Sequence, residues 1–191
     1  MAQLSLNKDY ITVYDGIIEP KLCDNLVKFF EKNIDHTFKE ETDHRSFQEL
    51  NLSVVPKYEE AISKLLYPYI DRYKKDNKII DYVWPPTFRL EQVRFKRYMP
   101  NTNDRFDVHA DATGKNTSSR FLVMFVYLSN NDSGYTTFPD RDIKIQPKQG
   151  RLLMFPPNWC YPHKGEKVTD RPKYILGTYA HYANLSEEVE K

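Results

Sequence analysis

The spacing of apolar residues changes character along this chain near residue 82. Before that point the apolar positions mostly follow helical spacing. Tyr10–Tyr14 (YITVY) is the exception, a β-branched and aromatic stretch that predicts a short strand closed by Asp15-Gly16. Glu19-Pro20 then opens a helix, since a proline in the first turn gives up an N–H that has no partner there anyway. Leu22, Leu26, Phe29 and Phe30 follow at helical spacing, so one face of a helix over about 20–33 packs inward. Residues 35–53 are polar without a clear period and read as a long connection or lid. A second helix is expected over about 56–75, with Ile62, Leu65, Leu66, Tyr69, Ile70 and Tyr73 on its apolar face. Glu59 and Glu60 at its start and Lys74 and Lys75 at its end suit the helix dipole.

Beyond residue 82 the pattern is that of strands. Trp84-Pro85-Pro86 forms a rigid joint. In Arg89–Tyr98 neither alternate set is cleanly apolar, which fits a strand lining a polar pocket better than a plain core strand. Arg120–Leu128 is a near-continuous apolar run, a central buried strand. Residues 142–146 and 151–155 are two further strands joined by a turn at Pro147–Gly150. The last strand, about 172–183, puts Tyr174, Leu176 and Thr178 on one side and Lys173, Ile175, Gly177 and Tyr179 on the other. Residues 185–191 read as a frayed, charged end. Helices first and many short strands afterwards predict an α+β, mainly β fold, with helices packed outside a β-sandwich or jelly roll. The expected organisation is one domain over 1–191, with a strand-plus-helix support region at 1–80 and a jelly-roll core at 82–183.

Composition narrows the class. A chain of 191 residues suits one domain with a sizeable core, and a formal net charge of +1 argues against a nucleic-acid partner. Fourteen tyrosines beside 11 phenylalanines predict an aromatic, β-leaning core. Cys23 and Cys160 are far apart and form no disulfide framework or zinc-ribbon spacing. With no apolar signal region and no run long enough to span a bilayer, the expectation is a cytoplasmic protein without a membrane partner. The pattern specifies no oligomeric state.

The chemistry concentrates in His109-Ala110-Asp111 and His163. A histidine and an acid two residues apart on an extended segment project to one side. A second histidine can join them once the chain folds back, and two imidazoles with one carboxylate leave open positions on a metal, as in non-haem Fe(II) oxygenases. His181 is the nearest rival ligand, near the chain end, while His36 and His44 sit in the polar connection. Cys160 lacks the partners a zinc thiolate site needs and reads as a small buried residue.

Several further segments fall in the order of one family. Tyr98 precedes the H-x-D, and Tyr127-Leu128-Ser129-Asn130 is similar to that family's Y-L-N. Gly134–Pro139 (GYTTFP) is similar to its G-x-T-x-F-P, and Ile145–Phe155 to its V-x-P-x-x-G-x-L-x-F. His163-x-Gly165-x-x-Val168 with Lys173-Tyr174 matches its distal histidine segment. Over about 93–180 the chain thus resembles the prolyl 4-hydroxylase-like branch of the Fe(II)- and 2-oxoglutarate-dependent dioxygenases. Ser133 stands where many members have glycine, and Lys167 replaces a proline.

The resemblance implies a double-stranded β-helix (jelly-roll) core with the N-terminal helices packed on one sheet. It implies Fe(II) held by His109, Asp111 and His163, with 2-oxoglutarate and O2 as cosubstrates and ascorbate as reductant. Lys173 would pair with the far carboxylate of 2-oxoglutarate, Arg171 being the competing cation. Tyr127 would add a hydroxyl donor, Tyr98 a contact nearer the metal and Thr136 a polar wall. With Asp111 present, hydroxylation is implied rather than halogenation. The implied reaction is hydroxylation of a C–H bond with release of succinate and CO2. The substrate it favours is a prolyl residue in a peptide or protein, with 35–53 and 99–108 as lids and Trp159 and Tyr161 as aromatic contacts. A hydroxylase of a free amino acid and a catalytically silent β-sandwich binding protein are the alternatives.

Overall fold

The computed structural model describes residues 2–183, and the stretch expected to fray at 185–191 lies outside them. In chain order the elements are β1 (Gln3–Lys8), β2 (Ile11–Asp15), α1 (Pro20–Lys32), β3 (Phe38–Glu41), β4 (Arg45–Asn51) and α2 (Pro56–Asp76). Then follow β5 (Phe88–Leu90), β6 (Arg94–Tyr98), β7 (Arg105–His109), β8 (Arg120–Tyr127), β9 (Thr136–Phe138), β10 (Ile143–Ile145), β11 (Arg151–Phe155), β12 (His163–Gly165) and β13 (Lys173–Tyr182).

The strands make one curled antiparallel sheet, ordered β1-β2-β11-β8-β13-β6-β4-β7-β12-β9-β10, with β3 beside β4 and β5 beside β13. The curl turns at β4. Its second half, Gln48–Asn51, pairs with β6, while Arg45 and Ser46 in its first half pair with β7. Two apolar cores result, one on each face of the central strands. Leu122, Met124 and Val126 of β8, Leu152 and Met154 of β11, and Leu176 of β13 meet Cys23, Leu26 and Phe30 of α1 and Ile62, Leu66 and Ile70 of α2. Val123 and Tyr127 of β8, Leu153 and Phe155 of β11, and Ile175 and Tyr179 of β13 face the inside of the curl, against Phe47 and Phe138. The run Arg120–Leu128 is apolar without alternation because both of its faces are buried.

Both predicted helices form within a residue or so of their expected bounds. Four expectations are corrected. The segment 35–53 is a hairpin, β3 with β4, and β4 is an integral strand that buries Ser46, Phe47, Glu49 and Leu50. Its inner face meets a polar pocket, which hid the strand pattern. The expected strand Arg89–Tyr98 is two strands interrupted at Glu91–Val93, where the Val93 N–H donates to the Glu59 carboxylate (3.0 Å) instead of a ladder partner. The loop expected before His109 closes into β7, and Cys160 is only partly buried. Both cysteines are free thiols, and no helix among the described residues is long and apolar enough to cross a membrane.

Candidate metal and cosubstrate site

His109 ends β7 and His163 begins β12, and the two residues are direct partners across the antiparallel ladder. Opposed residues of such a pair project to the same face. Their ring centroids are accordingly 4.3 Å apart. Asp111 lies just past β7, in a loop held by N–H donations from Asp111 (2.9 Å) and Ala112 (3.0 Å) to the Pro157 carbonyl. One ligand-type atom from each of His109, Asp111 and His163 falls within a group spanning 4.8 Å.

The orientation of the rings is set by the backbone. Nδ1 of His109 lies 2.8 Å from the Asp107 carbonyl and Nδ1 of His163 lies 3.1 Å from the Tyr161 carbonyl. A carbonyl only accepts, so each Nδ1 carries the proton and each Nε2 presents a lone pair to the site. Phe106 stacks flat on His109 at 3.5 Å and fixes its plane. Nε2 of His163 stands 3.3 Å from Oδ2 of Asp111, and both atoms are buried without a hydrogen-bond partner among the described residues. Two acceptors facing each other in the interior are unfavourable unless a cation lies between them. Burial pushes the His163 imidazolium down to about 4, against the pull of Asp111, so near neutral pH a proton does not fill that role. Burial also opposes ionisation of Asp111, but the charge that His163 and His109 carry when protonated, together with the Tyr179 hydroxyl, outweighs it and holds the carboxyl well below the usual range. The donor set of two neutral imidazoles and one carboxylate fits a divalent iron.

The other Asp111 oxygen is already engaged. Oδ1 accepts from the Tyr179 hydroxyl (2.9 Å), and the Arg120 guanidinium covers the Tyr179 ring at 3.8 Å. Arg120 donates to the Asp111 carbonyl (3.0 Å) and forms a two-pronged pair with Glu91, both contacts at 2.7 Å. Tyr179 and Arg120 thus leave Oδ2 as the free oxygen. Neither was singled out from sequence, although the β13 alternation already placed Tyr179 on the face of Lys173.

Lys173, Ile175, Gly177 and Tyr179 all line the pocket that holds the triad. The Lys173 ammonium is fully buried, donates to the Gly134 carbonyl at 2.7 Å and sits 4.5 Å from the Tyr98 ring centroid. Burial brings its pKa down to about 7, with Glu166 the opposing influence. One hydrogen bond leaves two of its N–H groups for a ligand in the pocket, and a carboxylate would offset the cost of burying the charge. Tyr98 lines this pocket. Tyr127 does not: it is fully buried, and its hydroxyl donates to Thr136 (2.7 Å), which does line the pocket. Arg171 is turned outward in an ion pair with Asp170 (3.4 Å).

An outer cavity of about 250 Å³ adjoins the triad, sharing Lys96, Phe106, His109, Asp111 and Tyr179 with the inner pocket. The β3–β4 hairpin supplies one wall of it through Phe38, Glu40, Arg45, Phe47 and Glu49. Trp159 and Tyr161 line neither space: Trp159 is 78 % exposed, and Tyr161 packs under Arg141. His36 and His44 are exposed, and His181 lies away from the triad. Ser133, where the family often has glycine, bonds to Asp170 and accepts the Thr169 N–H (2.9 Å), which ties down the segment leading into β13.

No curated protein matches this sequence. Among solved structures, a viral collagen prolyl hydroxylase from Paramecium bursaria Chlorella virus-1, in complex with 2OG, is 20 % identical with a TM-score of 0.66, over 92 % of this chain and 97 % of that one. A Pseudomonas putida prolyl-4-hydroxylase is 14 % identical with a TM-score of 0.67, covering 91 % and 93 %. A Trichoplax adhaerens prolyl hydroxylase, in complex with a hypoxia inducible factor oxygen degradation domain peptide fragment, is 14 % identical with a TM-score of 0.69, covering 92 % and 85 %. At such identities the likeness is one of fold. Residues 93–181 match the family model of the 2OG-Fe(II) oxygenase superfamily, a family that implies Fe(II), 2-oxoglutarate and O2. That segment carries the triad and Lys173, so the part of the chain that holds the candidate site is the part similar to the 2OG-Fe(II) oxygenase superfamily.

Proposed function

We propose that this protein is a dioxygenase that hydroxylates a C–H bond, with a prolyl residue of a peptide or protein as its substrate. The observation that carries the reading is the pair of orphaned acceptors, His163 Nε2 and Asp111 Oδ2, facing each other in a buried pocket beside a buried lysine. His109, Asp111 and His163 would hold Fe(II), and 2-oxoglutarate would lie between the metal and Lys173. When bound, iron and 2-oxoglutarate supply oxygen activation, with succinate and CO2 as by-products. The chain supplies the rest. The backbone carbonyls of Asp107 and Tyr161 fix the imidazole tautomers, Tyr179 fixes the Asp111 carboxylate, Arg120 holds the Asp111 backbone, and Lys173 would bind the far carboxylate of the cosubstrate. Thr136, oriented by Tyr127, is a second polar contact for that carboxylate, and Tyr98 walls the pocket under the ammonium. The apolar inner core excludes water from the reacting centre. The curled sheet is read as a double-stranded β-helix, and the likeness of fold to prolyl hydroxylases supports the prolyl assignment.

Anaerobic addition of Fe(II) and 2-oxoglutarate should produce the weak metal-to-ligand charge-transfer absorption of such sites. Succinate release over a panel of proline-containing peptides, read with a gain of one oxygen in mass, should identify the substrate. Absence of the absorption together with no metal binding would overturn the oxygenase reading in favour of a silent binding protein. Oxidation of free amino acids but of no peptide would overturn the prolyl-peptide assignment alone.

A further inference from the structure

The charges around the outer cavity pair off with one remainder. Arg45 is held by Glu40 (2.6 Å), Lys96 faces Glu49 (3.7 Å), and Arg120 is clamped by Glu91 (2.7 Å). Arg94 lies on the same face of β6 as Lys96 and Tyr98, half-buried, and it lines this cavity. Among the described residues its guanidinium has no hydrogen bond, ion pair or ring partner. A guanidinium drawn partly out of water without a counter-charge is unfavourable. Its planar fork also matches a carboxylate with two parallel hydrogen bonds. The same cavity is bounded by His109 and Asp111, so a molecule seated on Arg94 lies against the metal-binding residues.

We infer that the substrate carries a carboxylate that Arg94 binds, holding the C–H bond to be oxidised against the His109–Asp111 side of the site. The inference rests on the oxygenase reading of the triad and adds the chemical class of the substrate. The carboxylate has two possible sources, an acidic side chain of a peptide or the α-carboxylate of a free amino acid. The charge requirement is the same for both.

The test uses the protein loaded anaerobically with Fe(II) and 2-oxoglutarate, titrated calorimetrically with two matched pairs of probes. One pair is N-acetyl-Pro-Asp-amide against N-acetyl-Pro-Asn-amide; the other is L-proline against L-prolinamide. In at least one pair the acid should bind about tenfold or more tightly than its amide. That advantage should shrink with added salt, vanish in Arg94→Gln and partly persist in Arg94→Lys. The pair that discriminates names the source of the carboxylate. Acid and amide behaving alike in both pairs, including no binding of any probe, overturns the inference, as does discrimination that survives Arg94→Gln. Charge-transfer absorption is recorded on the same samples. Its absence from the wild type removes the oxygenase reading and this inference together, whereas its presence without discrimination removes this inference alone.

Discussion

Gly134 sits under the Lys173 side chain with a φ of +66°, a backbone conformation that L side chains rarely adopt. A Cβ there would stand 2.8 Å from Cγ2 of Val168 and 3.4 Å from the Lys173 ammonium, so the close approach of lysine and carbonyl depends on the missing side chain. Gly134→Ala should therefore weaken 2-oxoglutarate binding by about tenfold or more while leaving metal uptake by the triad intact, measured by calorimetry with each ligand in turn. Lys173→Met removes a charge-assisted bond and should cost roughly tenfold to a hundredfold in the same affinity. The ammonium also predicts a pH profile. Tyr98, Tyr127 and Thr136 around Lys173 are uncharged near neutrality and Glu166 is the one opposing acid, so burial leaves its pKa near 7. A bound carboxylate needs the protonated form. The free protein loses that proton above about pH 7, so binding must take one up. The 2-oxoglutarate Kd should then rise toward about tenfold per pH unit from neutral to alkaline conditions. A flat profile over pH 6–9 would show that Lys173 stays charged without the ligand.

Beyond its ladders to β6 and β7, the β3–β4 hairpin is tied to the loop after β6 by one buried side chain. Asp104, 2 % exposed, accepts from the Ser46 hydroxyl (2.7 Å), the Met99 N–H (2.9 Å) and the Lys39 ammonium. Asp104→Ala leaves those donors unpaired and should destabilise the protein by about 2–3 kcal/mol. The loss should show as faster amide exchange across 38–51 than across the helices. This hairpin is also where the amino-acid pattern was least legible. In β4 the inward positions of a polar pocket are themselves polar or charged, and only Phe47 and Leu50 mark the strand. The period of two therefore vanishes where function needs charge. β7 (RFDVH), β9 (TTF) and β12 (HKG) were missed because they are both short and rich in polar residues, whereas the equally short β2 and β11 are mostly apolar or β-branched. β8, β13 and both helices were legible because their apolar faces meet large cores. The triad was legible from residue type and spacing, and β13 from its parity. Arg94, Arg120 and Tyr179 were not, because their roles depend on which neighbouring charges are already paired.

At the scale of the molecule, metal binding and folding are linked. Any ligand that binds only the folded chain adds stability, about 2.7 kcal/mol at a hundredfold excess over its Kd. For a domain of this size that corresponds to about 5–10 °C in Tm. Mn(II), as a redox-stable probe, should produce such a rise in a thermal-shift measurement and none in Asp111→Ala. The order in which the sheet is built has a further consequence. β13 runs between β8 and β6 at the centre of the sheet, yet it comes last in chain order among the described elements. β2 likewise waits for β11, with Tyr14 opposite Leu152. Pairings this distant in sequence make for slow folding, on the order of milliseconds to seconds. A nascent chain already holds both helices and the His109–Asp111 segment while β8 still lacks its central neighbour. The floor of the pocket, Lys173 through Tyr179, arrives with the last described strand, so the pocket beside the triad closes only as synthesis of the described fold is completed.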